Sequence, residues 1–137
     1  MQNPETLKWY SFAQMDMDAA TTLDTHMHPR PLEIICYHAE QCTEKVLKGF
    51  LVENGILPPK THDLPLLCDK CVEIEPRFSE LSDICDFLTA FGIQPRYPDE
   101  MTILDEDADK ALDSIKTVME FINTLNVDED DQELPSP

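Results

Sequence analysis

Residues Ile34–Asn54 read IICYHAEQCTEKVLKGFLVEN, twenty-one residues without proline and with a single glycine. Ile35, Ala39, Cys42, Val46 and Phe50 recur at steps of three or four, the spacing of one apolar helical face. A second line, His38, Gln41, Lys45 and Lys48, has the same spacing but only polar, hydrogen-bonding groups. The stretch is therefore expected to be a long helix with a core face and an ordered polar face. Its neighbours decide what surrounds it.

Upstream, Pro4 to about Met27 is a second helical segment. Trp9, Ala13, Asp16, Ala20, Leu23 and Met27 share one face, and Phe12, Met15 and Ala19 widen it. Asp16 interrupts that face and is expected to hold an internal hydrogen bond. His28-Pro29-Arg30-Pro31 stops the helix, because proline has no N–H and restricts the residue before it.

Downstream, Gly55 closes the central helix and Leu57-Pro58-Pro59-Lys60 forms a rigid connector. A short helix follows over about 61–74, capped by Thr61 or Asp63, with Pro65 tolerable only in its first turn. A fourth helix is expected from Glu75-Pro76, with Leu81, Ile84, Cys85, Leu88 and Phe91 as its stripe and Gly92 as its stop. After the loop Ile93–Glu100, a fifth runs from about Asp105 to Leu125 on Ala108, Leu112, Ile115, Met119 and Ile122. Asp105, Glu106, Asp107 and Asp109 crowd its first turn, where the helix dipole favours acids. Five helices with short connectors predict an all-α, up-and-down bundle in one domain, residues 1–127, followed by an acidic, disordered tail at 128–137.

The totals narrow the function. The 137-residue chain has 10 Lys and Arg against 28 Asp and Glu, a net charge of −18, which opposes broad binding to DNA or RNA. Three glycines leave little for phosphate-cradling loops, and GxSxG, HExxH and P-loop signatures are absent from the sequence. The five cysteines are odd in number and follow no secretory signal, and no run reaches the ~18 apolar residues of a membrane span. The expectation is a reducing, cytoplasmic setting with free thiols.

Several constellations carry candidate chemistry. On the central helix, Lys45 and Lys48 suit phosphate or carboxylate, and His38 and Gln41 suit a base or peptide group. The competing reading is a solvated or dimer-facing stripe, with Lys48 in a simple pair with Glu44 four residues before it. Arg96-Tyr97-Pro98 offers a two-pronged cation and a stacking ring, or else a packed Tyr97 and an ion-paired Arg96. Cys68-x-x-Cys71 has the spacing of half a zinc site, but no second ligand pair accompanies it, so small semi-buried side chains are expected there and at Cys36, Cys42 and Cys85. His26 and His28 lack thiolate or carboxylate partners by spacing, and His62 belongs with the capping turn of the third segment. No metal and no cofactor is expected.

Taken together, the pieces resemble one family. Tyr37-His38-Ala39-Glu40-Gln41-Cys42-Thr43-Glu44-Lys45-Val46-Leu47-Lys48 is similar to the second-helix signature of HEPN domains (higher eukaryotes and prokaryotes nucleotide-binding). Thr61-His62-Asp63-Leu64 resembles the family's opening of the next helix, Arg96-Tyr97-Pro98 its loop before the last long helix, and Trp9, Ala13 and Asp16 its first helix. The resemblance covers roughly residues 5–125. It implies a helical bundle that pairs into a symmetric homodimer, often encoded beside or fused to a small nucleotidyltransferase, sometimes as a toxin of a two-component system. Many active relatives are metal-independent RNases with an Arg followed four to six residues later by a His at the dimer cleft.

This sequence departs from that motif. Arg96 is followed by Tyr97, Pro98, Asp99, Glu100, Met101 and Thr102; seven residues lie between Arg30 and His38, ahead of and within the central helix; and no His follows Arg77. Cleavage needs an acid or base beside the cation. The expectation is thus a non-catalytic nucleotide- or partner-binding module of the nucleotidyltransferase-associated type. It would be homodimeric, with a cleft lined by His38, Gln41, Lys45, Lys48, Arg96 and Tyr97 and a small nucleotidyltransferase as partner in a toxin–antitoxin-like pair. The alternative is a metal-independent RNase with a degenerate motif, recruiting His38.

Overall fold

The computed structural model describes residues 3–92 and 102–133, with side chains through 128. Among the described residues there are five α-helices: α1 (Pro4–His26), α2 (Leu32–Glu53), α3 (Leu64–Ile74), α4 (Ser82–Leu88) and α5 (Asp105–Glu133). The all-α bundle expected from the sequence is found, and the described residues contain no strand. None of their helices is long and apolar enough to cross a membrane.

Local chemistry sets the ends. Asn3 caps α1 by accepting from Glu5 N at 2.9 Å. Of the two candidates before α3, Asp63 is the cap, accepting from Leu66 N at 3.1 Å, with Pro65 in the first turn. Asp107 accepts from Leu104 N at 2.9 Å and starts α5.

α2 is the axis of the bundle. Its expected stripe, Ile35, Ala39, Cys42, Val46 and Phe50, is buried, and so are Cys36, Glu40, Thr43, Glu44, Leu47, Lys48, Gly49 and Leu51. Periodicity indicated one core face. In fact α1, α3, α5 and the Thr89–Gly92 turn all pack on this helix, so only a narrow edge meets solvent. A run of rings, Phe50 on Phe78 at 4.4 Å and Phe78 on Phe121 at 4.8 Å, joins α2 to the Pro76–Leu81 turn and α5.

Three expectations are corrected. The fourth segment is not one helix: Pro76–Leu81 and Thr89–Gly92 are 3-10 turns on either side of the seven-residue α4. Phe78 and Leu81, both buried, stand three apart, and a 3-10 turn stacks such residues above one another. α5 runs to Glu133 rather than Leu125, because no Gly or Pro intervenes before Pro135, and it carries the helix into the acidic run read as a tail. Phe12 and Met15 do not extend the core face of α1; they are 53% and 58% exposed.

Arg30, in the proline corner, bonds Asp24 at 2.7 Å, Asp105 at 3.1 Å and Asp109 at 2.7 Å. One guanidinium thus ties the end of α1 to the start of α5. The crowded acids of α5 therefore serve this fork as well as the helix dipole.

α1 crosses α2 at Gly49. A Cβ added there would lie 2.8 Å from Trp9 Cβ and 2.8 Å from Tyr10 Cε1. Alanine gains helix propensity of at most about 1 kcal/mol, but it must separate the two helices, at a cost of about 1–3 kcal/mol. Gly49→Ala is expected to lower the thermal midpoint followed by circular dichroism; an unchanged or raised midpoint would contradict this packing.

Candidate functional site

The polar line of α2 sorts into two groups, each built on one carboxylate. Asp16, which reaches across from α1, is the first hub. His38 Nδ1 lies 2.8 Å from Asp16 Oδ1, and Lys45 Nζ bonds Asp16 Oδ2. The Asp16 side chain is 10% exposed. An ionised carboxylate only accepts, so Nδ1 carries the hydrogen, and in the neutral form of such a ring Nε2 is the acceptor. The internal hydrogen bond expected of Asp16 is present, and two members of the line supply it.

Glu44 is the second hub. Lys48 Nζ donates to Glu44 Oε2 at 3.1 Å, and His62 Nδ1 lies 2.7 Å from Glu44 Oε1. The simple helix pair weighed for Lys48 is therefore real, but it is a buried pair, with side-chain exposures of 11% and 6%. His62 does sit in the turn that enters α3, as expected, and in addition it reaches back to α2. Thr89 Oγ1 fastens the same corner, accepting from Leu64 N at 3.1 Å and donating to His62 O at 3.4 Å.

Gln41 lies between the hubs and donates to Glu40 Oε2 at 2.8 Å. Glu40 is fully buried, and burial pushes its carboxyl up to about 8. Phe12 flanks the line from α1, with Lys45 Nζ 6.0 Å from its ring centroid. Phe12, Met15 and Ile34 leave apolar surface beside this edge. Of the candidate residues, His38, Gln41, Lys45 and Lys48 thus share one face. Arg96 and Tyr97 lie outside the described residues.

The cysteines belong to the core. All five cysteines are free and buried. The thiols of Cys68 and Cys71 donate to Phe78 O and Leu47 O, each at 3.5 Å, and burial pushes Cys36 and Cys42 up to about 12. Among the described residues no group of three or more His, Cys, Asp or Glu is placed to hold a metal ion. A cavity of about 390 Å³ between the Pro76–Leu81 turn and α5 is lined by Arg77, Glu120 and Phe121 and by no residue of the α2 line.

A family model, HEPN domain, matches residues 6–126. The chain belongs to the HEPN family. The matched span covers all five helices up to the last turns of α5, so the whole bundle is the HEPN domain. Its fold is similar to TT1696 from Thermus thermophilus, with a TM-score of 0.70 at 20% identity over 89% of this chain and 98% of that one. It is also similar to ST0689, an archaeal HEPN homologue, with a TM-score of 0.68 at 21% identity over 88% and 96%. No curated protein matches the chain.

What sequence reading missed in this HEPN domain is the acids. Glu40 and Glu44 stand beside the polar line, and neither was singled out as a hub. The signal was available: both fall on positions that the apolar spacing of α2 brackets, where a charge must find a partner. Removing one partner of such a network leaves buried charge uncompensated. Asp16→Ala strands Lys45 and His38 together and is expected to cost about 2 kcal/mol in urea denaturation at neutral pH; a loss below roughly 0.5 kcal/mol, the size of an exposed pair, would refute the hub.

Proposed function

We propose that this HEPN domain is a non-catalytic binding module that pairs with a second copy of itself and holds a nucleotide, or a nucleotide-handling partner, against the outer edge of α2. The observation that carries the reading is the charge of that edge. Lys45 is held by Asp16 and Lys48 by Glu44, so the stripe offers oriented donors with little net positive charge. Such a face suits hydrogen bonding to a base or an amide. It suits a phosphodiester backbone poorly, in keeping with the net charge of −18.

The apolar groups beside the edge support self-association. Phe12, Met15 and Ile34 sit next to the polar stripe, an arrangement that an isologous contact would cover. Arg96 and Tyr97 complete the proposed ligand set. The partner is proposed to be a small nucleotidyltransferase in a cytoplasmic, toxin–antitoxin-like pair. The acidic run from 128 onward, helical through Glu133, is proposed to lie outside the binding domain as a solvated extension of α5.

One observation favours a second reading, an RNase with a degenerate motif. Asp16 orients His38 through Nδ1, which leaves Nε2 available as a general base. The arrangement supplies a base that the absent His after Arg96 does not.

Sedimentation at micromolar concentration is expected to give a dimer, and Phe12→Glu with Met15→Glu a folded monomer. A wild-type chain that sediments only as monomer would overturn the pairing. In a metal-free assay on single-stranded RNA no cleavage is expected. Cleavage that disappears in His38→Ala or Arg96→Ala would replace the first reading by the second.

A further inference from the structure

Two carboxyl groups lie one helical turn apart inside the bundle. Glu40 is fully buried, and Glu44 is 5% exposed. Glu44 receives Lys48 on one oxygen and His62 on the other. Among the described residues, Glu40 receives the Gln41 amide on Oε2, and no donor reaches its Oε1. Gly92 closes the site from the far side. A Cβ there would lie 2.7 Å from Glu40 Cδ and 2.9 Å from Oε1, so the Thr89–Gly92 turn rests on the carboxyl group itself.

Two buried carboxylates on successive turns repel each other, and the ammonium of Lys48 offsets only one of them. A proton on Glu40 resolves both difficulties. It removes the second charge, and it turns the carboxyl into a donor for which Glu44 is the acceptor within reach. We propose that Glu40 and Glu44 hold one proton between them, and that this shared proton keeps the Thr89–Gly92 turn seated on α2.

The other groups around the pair are few among the described residues. On α2 they are Gln41 and Lys48; from the turn before α3, His62; from the Thr89–Gly92 turn, the Thr89 hydroxyl, already engaged with Leu64 and His62, and the Gly92 backbone. When the proton leaves to solvent, two carboxylates share Lys48. Glu40 is then drawn toward water, and the turn that covers it lifts.

The direction follows from linkage. Burial is the largest cause that raises the Glu40 carboxyl from 4.5 to about 8, with Glu44 adding to it and Gln41 and Lys48 opposing. The unfolded chain loses this proton near 4.5 and the folded chain near 8, so the stabilisation is complete below about pH 4.5 and is lost as pH rises to about 8.

The test is a carbon-13 NMR titration of the full chain, following the Glu40 carboxyl and the Gly92 Cα. Both are expected to titrate together with a midpoint about 8. Glu44→Gln lowers the midpoint, and Glu40→Gln abolishes the Gly92 transition and flattens the fall of stability with pH. A Glu40 midpoint near 4.5 would overturn the shared proton. A Gly92 signal that stays still while Glu40 titrates would overturn the link to the turn. The wild-type titration alone decides both points, should either variant fold poorly.

Discussion

α2 is enclosed on every side but one, and every polar group caught in that enclosure has to find its partner within the protein. This constraint shapes the rest of the bundle. It places an aspartate in the middle of the core face of α1, where Asp16 meets His38 and Lys45. It draws His62 back from the α3 entry to Glu44. It also requires a glycine where α1 crosses, at Gly49, and a backbone without a side chain over Glu40, at Gly92. An unpaired group at any of these points would carry the full desolvation penalty of a buried charge.

The two hubs repeat one design. Each is a carboxylate that takes a histidine Nδ1 on one oxygen and a lysine on the other: Asp16 with His38 and Lys45, Glu44 with His62 and Lys48. The lysines are thereby fixed in place and largely neutralised. A stripe that looks cationic in the sequence is close to neutral as a surface. That change in charge, more than the missing histidine after Arg96, turns the functional reading toward holding a ligand.

Much of this was legible in the sequence. The helical spacing of Ile35 to Phe50, the proline corner at 28–31 and a cap at Thr61 or Asp63 reported the bundle directly, because helix periodicity and stop signals are local properties; which of the two caps α3 came from the structure. Asp16 was legible as an internal bonding group because a charge on an apolar face needs a partner. Its partners were not, since they come from another helix. Glu40 and Glu44 were hidden for a related reason. A single stripe was expected on α2, and the packing of several elements around this helix is a tertiary fact that no period encodes. The Pro76–Gly92 segment carried an apolar pattern that reads equally as one helix or as turns flanking a short one. Phe12 and Met15 fit the core face by angle, but no element among the described residues covers them.

Family membership goes with the fold, and the site geometry explains why the α2 edge is ordered; we propose that this edge receives a ligand without cleaving it. The most direct measurement is a nitrogen-15 NMR titration of the chain with each of the four ribonucleoside monophosphates. Saturable shifts confined to the Gln41 and Lys45 edge and its Phe12 flank are expected, with the nucleotide recovered intact. Shifts that are absent from this edge with every nucleotide, or that cluster elsewhere on the bundle, would contradict it.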